Sequence, residues 1–509
     1  TVLEQAVTIN VLANDTGTDI VLTGVGTPSH GAASSSGDAV TNTPEPDFKG
    51  TDSFSYTIRD GSNRTANATV TVTVATKEEQ KEQVKETLEE TTTDPNAQEI
   101  GSVIGGVCVE QTGQTSFQQN CNALVVAAAQ GDPSVGRALE QITPEEAAAA
   151  TEVAQTSAQA QTVNIKARLF ALRTGVMGIN FDRLNIQRGG WTLSGQDLRY
   201  LLASTGGGGP SAPVEASRNA WGIFINGAID FGDREGTDRQ EGFEFKTRAL
   251  TAGIDYRFTD QLVLGTALSY AVMDSDMDNE GGSLDATGYS LSLYGTYYRS
   301  DQFYVDGMIN YGRYDYNQQR NVAYQLQDAS VNQNLVSQYG GGQFLIDVGA
   351  GYRFRHNNFT FGPEVRLSYL TSDVDSFQEQ AGTPGGDASW AVAIDSQNLR
   401  SLVSSVGGRA SYSMDLSWGI LQPQMEFSWL HEFNDDAYFV RGQFVQGGIT
   451  ADNFFNLAMD PVDTDYFRLG LGLMARFKRG PSALLQYRTY LDYENLEEHG
   501  IMAQLRWEF

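Results

Sequence analysis

Cys108 and Cys121 are the only cysteines of the chain, with twelve residues between them. In an oxidising compartment a pair this close reads as one disulfide around a small loop, contributing about 3 kcal/mol through loop entropy; two buried thiols are the plain alternative. A zinc site is disfavoured, because no His or second Cys pair lies nearby. The four histidines offer few general bases: His30, His356 and His499 fall in separate segments, and His431 shares the strand parity of Phe427 and Trp429, which turns it away from the interior. No Gly-x-Ser-x-Gly elbow, His-Glu-x-x-His pair or phosphate loop is present, so the chain does not read as an enzyme. Asn14, Asp15 and Asp60 could take a calcium ion, but surface turns favour Asn and Asp for reasons of their own, and no other cofactor is implied.

The remaining charged residues show a pattern. Asp230, Asp255, Arg257, Asp306, Asp347, Arg353, Glu364, Arg366, Arg409, Glu426, Arg468, Arg476, Arg488 and Arg506 fall on one parity of extended segments. The other parity carries sets such as Ile223, Ile225, Ile229 and Phe231, or Leu264, Leu268 and Tyr270. An Arg facing lipid at mid-depth costs roughly 2–4 kcal/mol, so the charged set must line a lumen. The last stretch repeats the rule: Ile501, Ala503, Leu505, Trp507 and Phe509 alternate with Met502, Gln504, Arg506 and Glu508 to the end.

Stepping outward from these residues, twelve alternating segments recur from Trp221 onward. The connections after the second, fourth, sixth, eighth and tenth segments are short, and those after the first, third, fifth, seventh and ninth read as long and polar. An outer-membrane barrel alternates short periplasmic turns with long outside loops in this way. Strands of ten or more residues also exceed those of a soluble sandwich. The composition agrees, since 54 Gly, 25 Phe and 22 Tyr in 509 residues favour strand and turn. A net charge of -29 excludes a nucleic-acid partner, which needs a basic face. No run of about 18 apolar residues forms a helical membrane span. The chain opens on Thr1 with neither an initiator Met nor a signal sequence, which reads as a processed or truncated piece.

Five segments are expected. Residues 1–76 read as an Ig-like β-sandwich, with Phe54, Tyr56 and Ile58 alternating and a hairpin around Asp60. Residues 77–100 are a charged linker, a solvated helix or flexible chain too poor in apolar side chains to bury a core, and residues 101–143 a linker holding the disulfide. Residues 144–217 hold a helix that starts with Thr143 at the N-cap, Pro144 at the first position and Glu146 closing a capping box. Val163, Ala167, Phe170 and Ala171 give it a thin apolar stripe, and it is expected to run toward Gln187 and thread the pore, offering Lys166, Arg168, Arg173 and Arg183 to the lumen acids, with position 168 within crosslinking reach of 347 or 364; Gly195–Ser204 is a rival for that place. Residues 218–509 form the barrel.

The N-terminal wording "TINVLANDTG", "PDFKGTDSFSYTIRDG" and "ATVTVTV" resembles the bacterial cadherin-like or Ig-like repeats of surface proteins. Further on, "WGIFINGAIDFGDREGTDRQEGFEFKTRALTAGIDYRFTDQLVLGTALSY", "YGTYYRSDQFYVDGMINYG", "MEFSWLHEF" and the terminal "LRWEF" resemble the translocator domain of monomeric type Va autotransporters, of the type V secretion family. "ALEQITPEEAAA" and "IKARLFALRTG" resemble the linker ahead of such domains. The resemblance implies an all-β membrane protein: a 12-stranded antiparallel outer-membrane β-barrel with a lumen-threading α-helix. Such a barrel anchors in the outer membrane of a Gram-negative bacterium and displays its own N-terminal passenger at the cell surface. The partners implied are outer-membrane lipid and lipopolysaccharide, periplasmic chaperones, the barrel assembly machinery, which would read Trp507 and Phe509 as a C-terminal signal, and the chain's own passenger; the barrel itself is expected to be monomeric. A passive porin is the competing reading, and a barrel-anchored surface hydrolase a weaker one.

Overall fold

The computed structural model describes residues 6–110, 115–173, 185–188, 191–194, 221–300, 302–435, 438–448, 450–477 and 481–508. The chain divides into two compact units, one of residues 1–143 with 323–331 and 443–455, the other of residues 144–322, 332–442 and 456–509.

In the first unit, β1 (Val7–Asn10), β4 (Ala39–Pro44) and β3 (Gly31–Ser36) form one sheet; β2 (Val21–Val25), β5 (Gly50–Arg59) and β6 (Thr65–Val74) form another. The inward parity of β5 and β6 supplies Phe54, Tyr56, Val72 and Val74 to a core shared with Val11 and Val40. The β5–β6 turn closes on Asp60, whose carboxylate accepts from the backbone of Ser62 and Arg64 and the guanidinium of Arg64. Asp15 accepts from Tyr56 Oη at 3.0 Å. Two of the three residues considered for calcium are thus engaged by the fold itself.

Residues 77–110 are mostly helical, one of the two expected states, but packed rather than solvated. Thr76 and Glu79 make a reciprocal capping box that starts α1 (Lys77–Glu89), and one face of α1 is buried at Lys81, Val84 and Leu88. Helices α2 (Pro95–Glu110), α3 (Ser116–Ala129) and α4 (Ser134–Ile142) complete a small bundle. Gly101 and Gly105 sit one helical turn apart where α2 meets α1, and a Cβ at Gly105 would collide with the backbone of Lys85. Two apolar side chains on one face suffice here because the partner helix supplies the rest of the core, Ile100, Ile104 and Val107. The segment 443–455 belongs to this bundle: Lys81 Nζ meets Asp452 at 2.8 Å and the rings of Phe117 and Phe444 lie 5.9 Å apart.

Cys108 on α2 and Cys121 on α3 are bonded, with Cα atoms 5.8 Å apart. Cys121 is fully buried and Cys108 nearly so. The unreduced protein is expected to take up no thiol reagent at either position. The double variant Cys108→Ser/Cys121→Ser should lower the bundle's stability by about 3 kcal/mol while barrel assembly continues, read by helix melting and by heat-modifiable migration.

The second unit contains the helix α5 (Glu146–Arg173), a hairpin of β7 (Asn185–Arg188) and β8 (Trp191–Ser194), and twelve long strands. These are β9 (Trp221–Arg234), β10 (Phe243–Arg257), β11 (Leu262–Met277), β12 (Gly282–Tyr298), β13 (Phe303–Gln325), β14 (Ser330–Tyr352), β15 (Phe359–Val374), β16 (Gln397–Tyr412), β17 (Gly419–Glu432), β18 (Asp465–Phe477), β19 (Ser482–Leu491) and β20 (Leu496–Glu508). Neighbours pair antiparallel in chain order, and β20 returns to β9 from Leu496↔Arg234 to Glu508↔Gly222, which closes the barrel. Closure leaves no edge with unpaired backbone groups, the condition for a sheet in lipid.

The outer face keeps the expected parity: Ile225, Leu250, Leu268, Leu293, Val365, Val406, Leu471 and Leu505 are all exposed. Aromatic pairs rim this apolar band, including Trp221–Tyr256 (4.8 Å) and Trp418–Phe477 (5.4 Å) at the short-turn end and Tyr270–Tyr289 (5.0 Å) at the other. Such girdles mark the two membrane interfaces.

Two of the loops expected to be long are not. Only residues 278–281 join β11 to β12, and only 326–329 join β13 to β14. The polar residues assigned to loops stay in the ladder instead, so β13 and β14 reach 23 residues each, against the ten or so that a membrane crossing needs. Along β13 the outward face changes from Ile309 and Tyr311 to Arg313, Asp315 and Asn317, which places the limit of the lipid band there.

Candidate functional site: the helix-filled lumen

Helix α5 lies inside the barrel and contacts β9, β10, β11, β12, β15, β16 and β20. Two apolar sets hold it. Ile165, Leu169 and Leu172 pack with Phe224, Val263, Ala267, Tyr294, Met308, Leu345 and Leu370; Ala167, with Val163 and Phe170, packs with Ala228, Ala249, Ala271, Met474, Leu484 and Met502. The stripe seen in the sequence is therefore only one of two packed faces.

Helix geometry divides the polar residues as well. Asn164 and Arg168 are four apart and share a face, whereas Lys166 points to the other side. Arg168 makes a two-pronged contact with Asp255 of β10, Nε to Oδ2 at 2.6 Å and Nη2 to Oδ1 at 2.7 Å, and both residues are buried. Tyr294 of β12 donates to the same carboxylate at 2.8 Å. The guanidinium also lies 5.4 Å from the Phe224 ring centre. Gly222 makes room for this arrangement, since a Cβ there would fall on the Arg168 guanidinium and the Asp255 carboxylate. One turn earlier, Asn164 donates to Thr251 at 3.0 Å, and Asn226 of β9 donates to the Asn164 carbonyl at 2.6 Å.

Across the lumen, Lys166 Nζ meets Asp347 of β14 at 3.0 Å. Asp347 also holds Arg366 of β15, which reaches Asp306 at 2.7 Å and Glu364 at 3.0 Å. The other acids are used within the barrel wall: Glu426 takes Arg409 and Arg468, and Asp230 and Glu498 share Arg488. Arg409 in turn stacks over Phe170 of α5 at 4.2 Å.

All fourteen barrel residues proposed as lumen-facing lie on the inward parity, buried or half-buried. Among the described residues, Asp255 and Asp347 meet a charge on α5. Arg173 ends the helix, and its side chain is outside the described set, as are Arg183, Phe509 and the rival segment Gly195–Ser204; Trp507 is described by its backbone alone, opposite Ile223. Three details differ from expectation. Ile186 and Gln187 lie in β7, so the helix does not reach them. Thr143 does not cap α5; its hydroxyl donates back to the Leu139 carbonyl at 2.8 Å, ending α4. Arg168 faces Asp255 rather than Asp347 or Glu364. Asn164, Asn226, Thr251 and Tyr294 were missed, although Asn164 shares the Arg168 face and Asn226 shares the Asp230 parity.

The two ends of the helix mark two ends of the barrel. The Ala147 carbonyl accepts from Gln397 at 3.1 Å, where β16 begins beside the loop 375–396. Arg168 sits beside Gly222 at the end of the short turns. Near the first of these, Glu241 lies in the loop 235–242, outside the lipid band. Burial and the carboxylates of Glu146, Glu145 and Asp278 push it up to about 9 from an ordinary value of 4.5. A raised carboxyl favours the fold while protonated, so its contribution is complete below about 4.5 and is lost as pH rises through about 9. Thermal unfolding at pH 5 and pH 9 should show the parent less stable at the higher pH, and Glu241→Gln should shrink that difference.

Comparison with known proteins fits this geometry. The profile of the autotransporter beta-domain family matches residues 223–488, more than half of the chain, and that of the bacterial Ig domain matches residues 1–73. The chain is 26% identical over 225 residues to the probable autotransporter YpjA of Escherichia coli (strain K12), covering 43% of this chain and 13% of that protein. It is 25% identical over 197 residues to Lipase 1 of Photorhabdus luminescens, covering 38% of this chain and 28% of that one. It thus spans less than a third of these relatives' lengths. Among solved structures, the translocator domain of autotransporter NalP from Neisseria meningitidis is similar at a TM-score of 0.44 and 15% identity, over 62% of this chain and 95% of that one. With the closed barrel and the family match together, the chain belongs to the autotransporter beta-domain family, barrels of the Gram-negative outer membrane, and carries a bacterial Ig domain ahead of its barrel.

Proposed function

We propose that the chain is the outer-membrane translocator and anchor of a self-secreting surface protein, and that it displays its own upstream residues outside the cell. The observation that carries this is α5: it occupies the lumen from the loop end at Ala147 to the short-turn end at Arg168. A chain held in this way enters from the periplasm at Trp221 and leaves the barrel outward at Pro144. Residues 1–143, with the Ig-like sandwich, are then the end of the displayed passenger, a stalk or adhesive unit. Assembly through the barrel assembly machinery and periplasmic chaperones, and contact with lipopolysaccharide, follow from the same reading.

The passive-porin reading fares worse, because apolar and charged contacts on several sides of α5 fill the lumen. A hydrolase reading gains nothing from the likeness to Lipase 1, which covers 28% of that protein. His431 faces outward, where its ring meets Asp465 at 3.0 Å beside Trp429.

Epitope tags placed after Asp38, within residues 376–387 and after Phe509 test the topology on intact cells. The first two should be labelled and the third hidden. Labelling of the C-terminal tag with both others hidden would overturn the reading.

A further inference from the structure

Inside the lumen, several cations are matched to anions among the described residues: Arg168 with Asp255, Arg366 with Asp306 and Asp347, Arg468 with Glu426, Arg488 with Asp230. One region departs from this balance. At the short-turn end, beside Phe170 of α5, a cavity of about 300 Å³ is lined, among the described residues, by Arg353, Arg355, Arg409 and Arg476 against a single acid, Glu364. Glu364 is already engaged by Tyr304 at 2.9 Å and by Arg366 at 3.0 Å. Arg355 and Arg476 have no ion-pair partner among the described residues. Asn357, Asn358, Ser411 and Gln422 add further polar groups. Cationic side chains in a cleft with low-dielectric walls focus the field and concentrate anions at its mouth.

The chain itself supplies a complementary anion. Residues 1–143 hold 19 acidic and 7 basic side chains, and 77–110 alone hold 9 acidic against 3 basic. On the translocator reading these residues pass the short-turn end in extended form before they fold. The geometry points to this vestibule as a capture site for acidic polypeptide: Arg355 and Arg476 receive the carboxylates of the chain's own residues 77–110 as they enter the lumen. The inference rests on the translocator reading and assigns that lumen a preference for acidic cargo. Captured carboxylates exchange their water for arginine donors one pair at a time, so the segment is held at the mouth without being locked there.

The experiment is a pulse-chase of the full chain in cells, scoring how fast residues 77–110 become cleavable by protease added outside. Arg355→Gln/Arg476→Gln should slow that appearance about three- to tenfold, while Arg355→Lys/Arg476→Lys should keep the parent rate. Neutralising the exposed Glu78, Glu82, Glu86 and Glu90 to Gln, in an unaltered barrel, should slow it to a similar degree, and combining both sets should add little. This second arm holds even if the arginine variants assemble poorly, because it leaves the barrel untouched. Display at the parent rate by both glutamine sets would overturn the capture site, as would additive slowing. Failure of the translocator reading is distinct: the parent itself would then show no cleavable upstream chain beside a fully assembled barrel.

Discussion

Reversing Arg168 to Glu is expected to unseat α5 from a barrel that otherwise stays folded. In the parent, Arg168 is fully buried and held by both oxygens of Asp255, with Tyr294 fixing the carboxylate from the other side. A buried pair of this kind adds little over an apolar substitute, but losing one partner leaves the other charge stranded, at about 3–5 kcal/mol. The reversed variant is worse off than a truncation, because two carboxylates then face each other in a buried site where like charges are weakly screened. The helix retains its apolar faces, so the outcome is loosening with intermittent opening. Single-channel conductance and leakage of a bulky antibiotic should both rise, with heat-modifiable migration unchanged. Arg168→Glu/Asp255→Arg should recover much of the seal. Lys166→Ala should have a smaller effect, since Asp347 keeps Arg366 as a partner and Lys166 is part-exposed.

Deleting β20, residues 496–509, is expected to abolish the assembled barrel altogether. This strand carries the closing ladder to β9 as well as its pairing with β19. Its loss turns both neighbours into open edges, whose unpaired backbone groups each cost several kcal/mol in lipid. The chain should be found protease-sensitive and without heat-modifiable migration. A shorter deletion of residues 507–509 separates closure from recognition. Of the described ladder it removes the pairs Trp507↔Ile223 and Glu508↔Gly222. If the short deletion assembles as well as the parent, Trp507 and Phe509 are not an assembly signal.

The barrel was legible because lipid and lumen impose opposite chemistry on alternate residues, so Ile223, Ile225 and Ile229 against Asn226 and Asp230 already state the two faces. The strand number followed from the same alternation. Loop lengths were less legible: Arg313, Asp315 and Asn317 look like loop residues when polarity is taken to end a strand, yet they continue the ladder of β13 above the membrane. Residues 77–98 misled for a different reason. Their apolar content is low, and burial of Val84 and Leu88 depends on a partner helix that local composition does not reveal, although the Thr76–Glu79 spacing did carry a helix start. In the lumen, the sign of each charge could be read but not its partner. Pairing depends on the rotation of α5 inside the barrel, which places Arg168 on Asp255 and leaves Glu364 and Glu426 to the wall.

Cysteine crosslinking in native outer membranes tests most directly whether α5 threads the barrel in this register. Arg168→Cys combined with Asp255→Cys should be bridged within the chain by a short, reducible bifunctional thiol reagent that spans the reach of the Arg and Asp side chains they replace, seen as a mobility shift reversed by reductant. Arg168→Cys with Asp347→Cys should stay open under the same treatment. A bridge in neither pair, or in the second pair alone, with the barrel assembled, would contradict the account.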